Sequence, residues 1–137
     1  MIIIMFFYNV FVIFSSCAQK FPIIMHELSV VMGILNIAKS ETAKAGAKAV
    51  EMIELEIGTL AGIEFDALDF VWPSAVKNTV LEKAVKKIDV IQAKGKCMEC
   101  DTVFELEHIY DPCPKCNNYL KGILQGKELR VKSLEVV

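Results

Sequence analysis

Charge of either sign is scarce in excess: 15 basic and 17 acidic side chains leave a formal net charge of -2 over 137 residues. That balance lacks the footprint a phosphate backbone attracts, which excludes nucleic acid as a main partner. The densest basic run, Lys83, Lys86, Lys87, Lys94 and Lys96, is scattered in the manner of a solvated face. There is no Gly-rich phosphate loop, no low-complexity tract, and no internal repeat longer than a doubled CxxC. No nucleophile and base pair can be named, so the chain does not read as an enzyme. The longest apolar run, Met1 to Phe14, is interrupted only by Asn9 and falls short of the ~20 residues a membrane-spanning helix needs.

Apolar residues make up 54% of the chain, and the excess is concentrated at the start, where five of the eight Phe precede Met25. Two readings of this extension compete. A secretory signal fits the small residues Ser16 and Ala18, but the positively charged leading region is missing. The preferred reading is a polypeptide that starts at Met25 with residues 1–24 mis-assigned, because export would carry the paired cysteines into an oxidising compartment. The chain is therefore expected in the cytoplasm. Cys17, inside this stretch, reads as an incidental thiol.

From Ser29 to about Ala45, Val30, Val31, Ile34, Leu35 and Ala38 recur at helical spacing, with Ser29 as cap and Gly46 as stop. Ile53, Leu55 and Ile57 then alternate with Glu54 and Glu56, the period of a strand with one buried and one wet face. Phe65 to Val76 returns to helical spacing, with Leu68, Trp72 and Val76 on one face, Asp66 near the start and Pro73 expected to kink or shorten it. Strands follow around Ile88 to Ala93 and from Leu129, where a change of phase after Ser133 suggests a bulge. The expected order is a short strand, helix, strand, helix, strand, cysteine module and closing strand. The fold class is α+β: a small mixed β-sheet with two helices and an inserted module.

Cys97-Met98-Glu99-Cys100 and Cys113-Pro114-Lys115-Cys116 are two CxxC units separated by twelve residues. Each two-residue gap lets both sulfurs of a tight turn reach one ion at ~2.3 Å, and four thiolates suit Zn(II). Val103 to Leu106 can form the ribbon between the turns. Zinc is preferred over two disulfides or a rubredoxin-like iron centre. A closed four-thiolate site leaves no position for water, so the ion's role is structural. A module of about 25 residues cannot bury enough apolar surface to fold alone, and the ion supplies the missing free energy.

Three blocks together carry a resemblance: Met25-His26-Glu27-Leu28-Ser29, the paired CxxC units, and Gly126-Lys127-Glu128-Leu129-Arg130-Val131-Lys132-Ser133-Leu134-Glu135-Val136. From Met25 to Val137 the chain resembles the HypA/HybF family of hydrogenase maturation nickel metallochaperones. The resemblance implies a nickel-binding α/β domain over 25–95 with 124–137, a zinc ribbon over 96–123, and nothing for residues 1–24. It implies His26 as principal nickel ligand, with Met25 and Glu27, and Glu64 as a further acidic contributor that reads equally well as a helix-start carboxylate. An amino-terminal nitrogen, adjacent deprotonated backbone nitrogens and an imidazole can surround Ni(II) in a square plane, while zinc keeps to thiolates. His108, between the CxxC turns, reads as a surface histidine more readily than as a metal ligand. The implied function is nickel delivery to a [NiFe]-hydrogenase large-subunit precursor with a maturation GTPase and, in addition, urease maturation proteins. The alternative is a zinc-ribbon interaction module without nickel.

Overall fold

The structure, a computed structural model, describes residues 2–9 and 23–137, with side chains described from His26 onward. Cys17, Ser16 and Ala18 and the Met25 side chain lie outside the described residues. The elements run β1 (Ile2–Asn9), α1 (Ile23–Lys44), β2 (Val50–Gly58), α2 (Phe65–Val76), β3 (Val85–Ile91), β4 (Lys94–Cys97), β5 (Val103–Glu105), β6 (Lys121–Gln125) and β7 (Leu129–Val136).

Two sheets divide these strands. The first has the order β1-β7-β2-β3 and the second β5-β4-β6. Strands β2 and β3 are parallel, which requires a crossover, and α2 supplies it. β7 runs antiparallel to both β2 and β1, so the last strand returns to a sheet begun before the cysteines. The second sheet, all antiparallel, is inserted between β3 and β7. The fold class is α+β, as the alternating periods indicated.

Helix α1 buries Val30, Val31, Ile34, Leu35 and Ala38, the stripe read from the sequence. Burial of such side chains contributes roughly 1.5–3 kcal/mol for each Val, Leu or Ile. Gly46 ends the helix at φ +66, a left-handed turn that costs glycine nothing, and its N–H donates to the Ala43 carbonyl. The helix starts earlier than expected: residues 23–28 are helical, so Ser29 is an exposed interior residue and not the cap. The short strand expected ahead of α1 is β1, in the apolar run. Helix propensity in Met, Glu and Leu favours that extension.

Ile53, Leu55 and Ile57 of β2 are buried, and together with Leu68, Val71, Trp72 and Val76 of α2 and Val131, Leu134 and Val136 of β7 they join the α1 stripe in one core. Helix α2 continues one turn past Pro73 and ends at Val76. The other face of the sheet is less wet than alternation suggests. Glu56 is buried because Arg130 pairs with it and Lys132 spans Glu54, Glu56 and Asp89, laying aliphatic stems over the sheet.

The bulge read from the phase of β7 is present: Glu54 pairs with Ser133 and Leu55 with Val131, leaving Lys132 as the extra residue. It sends both Val131 and Leu134 into the core. Strand β3 begins at Val85, earlier than the expected Ile88, and ends before Ala93.

The two sheets meet where three backbone segments cross. A Cβ on Gly58 would lie 2.0 Å from the Gly126 carbonyl oxygen, and one on Gly126, whose φ is +113, would lie 2.4 Å from the Ala93 Cβ. Only glycine allows this approach. The Leu60 N–H donates to the Gly126 carbonyl at 2.7 Å, the Gly58 N–H to Glu128 at 2.7 Å, and the Ala93 N–H to the Thr59 hydroxyl at 3.0 Å.

Candidate metal centres

The two CxxC units fold into the same turn. In the first, the Cys97 N–H donates to the Thr102 carbonyl at 2.9 Å and the Asp101 N–H to the Cys97 carbonyl at 3.1 Å. In the second, the Cys113 N–H donates to Asn118 at 2.9 Å and the Asn117 N–H to Cys113 at 2.9 Å. Asp101 and Asn117 occupy equivalent positions with φ +60. Asp and Asn tolerate that left-handed conformation better than other side chains with a Cβ, so the residue after each second cysteine is part of the motif. Sequence reasoning stopped at the cysteines and missed this pair, although the signal was present in the acid and amide that follow them.

These turns bring the four sulfurs together. Cys97 Sγ lies 3.5 Å from Cys116 Sγ and Cys100 Sγ lies 3.6 Å from Cys113 Sγ, and all four fall within 4.8 Å of one another. A tetrahedron with 2.3 Å metal–sulfur bonds has edges of about 3.8 Å, so the arrangement fits an ion at its centre. The cysteines are free thiols, with sulfur separations well beyond the ~2.05 Å of a disulfide. Cys97 and Cys113 are buried and Cys116 is exposed.

The charge arrangement also calls for a cation. The Thr102 hydroxyl, 3.1 Å from Cys100 Sγ, and the Thr102 backbone lower the Cys100 thiol to about 6. For Cys116 the Asn118 backbone is the largest single influence and lowers it. The Cys97 sulfur, burial and the Cys100 and Cys113 sulfurs together outweigh that influence and push the thiol up to about 12. Four adjoining thiolates repel one another, and a divalent ion removes the penalty.

His108 stays apart from the sulfurs. Its ring stacks on Tyr110 at 5.0 Å, and its Nδ1 lies 3.7 Å from Asp111. Asp111 in turn accepts the His108 and Glu107 N–H groups, which hold its carboxyl below the usual range.

The residues expected at the nickel end are neighbours at the first turns of the two helices. His26 is partly exposed, whereas Glu27 is fully buried. Glu27 Oε1 accepts the Glu64 N–H at 3.2 Å and lies 3.7 Å from His26 Nδ1. Glu64 precedes α2, and its side chain is exposed. Among the described residues, the four cysteines are the one group of three or more His, Cys, Asp or Glu donors close enough to share an ion, and His26, Glu27 and Glu64 do not form another. No helix among the described residues is long and apolar enough to cross a membrane.

The profile of the HypA family, described as "Hydrogenase/urease nickel incorporation, metallochaperone, hypA", matches residues 25–136. The hydrogenase maturation factor HypA of Parabacteroides distasonis is 44% identical over 112 residues, covering 82% of this chain and 97% of that protein. The HypA of Geotalea uraniireducens is 40% identical over 112 residues, covering 82% and 99%. The solution structure of the Ni metallochaperone HypA from Helicobacter pylori superposes with a TM-score of 0.59 at 25% identity, covering 81% of this chain and 97% of that one. This is a family of metallochaperones and not of enzymes, and the chain belongs to it: it is a member of the HypA family of hydrogenase/urease nickel-incorporation metallochaperones.

Proposed function

We propose that this protein is a cytoplasmic nickel carrier that takes up Ni(II) at the His26 end and passes it to the large-subunit precursor of a [NiFe]-hydrogenase. A maturation GTPase partners the transfer, and urease maturation proteins are a second destination. The observation that carries the reading is the family match, which opens on Met25-His26-Glu27 and extends over nearly all of the chain that follows.

The resident ion is Zn(II), held by Cys97, Cys100, Cys113 and Cys116, where it supplies cross-linking and charge neutralisation and no reaction. Nickel is cargo. His26 is its principal ligand, supported by nitrogen at Met25 and Glu27, with Glu64 as an accessory acid. Helix geometry bears on which nitrogens are available: the first four N–H groups of a helix have no intrahelical acceptor. In a chain beginning at Met25 these include His26 and Glu27, whose nitrogens can give up their protons and bind Ni(II) without breaking a helical hydrogen bond. In the chain from Ile23 the Glu27 N–H occupies the fifth position and enters the hydrogen-bond ladder.

The deciding experiment is equilibrium dialysis of Ni(II) against the zinc-loaded protein and its His26→Ala variant, followed by nickel transfer to a hydrogenase large-subunit precursor. Loss of nickel binding in the variant, with zinc retained, supports the reading. Equal nickel binding would overturn it and leave a zinc-ribbon interaction module.

A further inference from the structure

Glu27 is the most deeply buried carboxylate among the described residues, with none of its surface exposed. The next most buried, Glu41 and Glu56, are each paired with a cation, Lys44 and Arg130. Glu27 has no Lys or Arg partner among the described residues, and the nearest group that can carry positive charge is the His26 ring, 3.7 Å from Oε1. Glu27 Oε1 takes the Glu64 N–H, while Oε2 is buried without a hydrogen-bond partner among the described residues. Removing a carboxylate from water carries a large cost, so something at this position must favour it.

The N-terminus of α2 supplies that preference. Its opening N–H groups have no intrahelical acceptors, and the helix dipole favours negative charge there. Glu64, the residue at the cap position, makes no side-chain capping hydrogen bond of its own. The cap comes instead from Glu27, 37 residues earlier on α1. The same carboxylate lies behind the partly exposed His26 ring. It cannot turn outward to an ion at His26 without leaving the α2 cap.

We propose that Glu27 is a positioning residue whose inward carboxylate ties the first turns of α1 to the start of α2 and does not coordinate nickel. Loading of the metal at His26 is thereby transmitted to the Glu64 backbone, and the exposed Glu64 carboxylate is kept beside the nickel end. This rests on the reading of His26 as the nickel ligand.

The test measures amide exchange at Glu64 and Phe65, together with nickel affinity and the position of the Ni(II) d–d absorption band. The full zinc-loaded chain is compared with Glu27→Gln and Glu27→Ala. Without nickel, Glu27→Ala is expected to speed Glu64 exchange about tenfold, the effect of losing one buried hydrogen bond. It should weaken nickel binding without moving the band. Glu27→Gln keeps an acceptor oxygen, so it should restore protection and leave the band in place, and it carries the test if the alanine variant fails to fold. Nickel should change Glu64 exchange in the wild type and not in Glu27→Ala.

A band shifted by Glu27→Gln, with Glu64 still protected, would make the carboxylate a ligand and overturn the proposal. Unchanged Glu64 exchange in Glu27→Ala would do the same. If His26→Ala binds nickel as the wild type does, the underlying nickel reading fails, and the metal-free exchange data still decide whether the tether exists.

Discussion

Replacing Gly126 with alanine tests the crossing that joins the two sheets. The residue sits at φ +113, where a side chain with a Cβ is held at a cost of order 1–3 kcal/mol. The added methyl would also lie 2.4 Å from the Ala93 Cβ and 2.5 Å from its Cα, against an optimum near 3.5–4.0 Å between carbons. Neither neighbour is the end of a flexible side chain, so relief requires backbone movement, a further 1–3 kcal/mol or so. The sum, about 2–6 kcal/mol, is a large part of the roughly 5–15 kcal/mol that stabilises an ordinary domain. Urea unfolding of the zinc-loaded chain, followed by circular dichroism and by fluorescence of Trp72, the sole tryptophan, reads the loss. Gly122→Ala is the internal control, because its Cβ would meet nothing within 4 Å. If Gly126→Ala lost less than about 1 kcal/mol, or no more than Gly122→Ala, the crossing would be far more compliant than this reasoning allows.

Further outcomes follow from the same geometry. Cys100→Ser should leave the purified protein with well under the expected zinc by elemental analysis and abolish the β5-β4-β6 signals in NMR, while α1 and α2 persist. Chelation of the wild type should give the same picture, and an unchanged spectrum after complete zinc removal would contradict a metal-supported ribbon. Leu68→Ala, at a position of α2 with no exposed surface, should cost about 2–5 kcal/mol in urea unfolding. A chain beginning at Met25 should bind nickel more tightly than the full chain, because its terminal amine is then free and the following amides, outside the helix ladder, can give up their protons to the metal; equal titrations would refute this.

Much of this architecture was legible because periodicity reports burial directly. The α1 stripe, the β2 alternation and the Leu68, Trp72 and Val76 face are all core residues. The phase change in β7 also corresponded to a bulge. What periodicity could not report was where a helix starts when the residues before it are also apolar: Ile23, Ile24 and Met25 extend α1 past the cap that Ser29 offered. Nor could it show that a carboxylate in Met25-His26-Glu27 faces the core, since the partner is a backbone N–H that becomes available only after α2 has packed against α1. The paired cysteines were readable because their contacts are local. Each turn closes within six residues, and the chain only has to bring two such turns together.

The contrast between the two metal ends explains how one small chain can keep one ion and surrender another, on the proposed reading. The sulfurs are placed by two matching turns and two strands, with Cys97 and Cys113 buried, so release of zinc would require unfolding of the ribbon that displays them. Among the described residues, the His26 end has no prearranged cluster of side-chain donors. In a chain beginning at Met25, a cation there is assembled from an imidazole and deprotonated backbone nitrogens at a helix start, the part of a helix that opens most readily. Donor chemistry separates the ions as well, since the closed thiolate tetrahedron suits zinc and a nitrogen-rich plane suits nickel. Retention and transfer are thus set by how much of the fold must open to free each ion. Introducing a cysteine thiolate beside His26 should therefore raise nickel affinity in equilibrium dialysis while slowing nickel transfer to an acceptor.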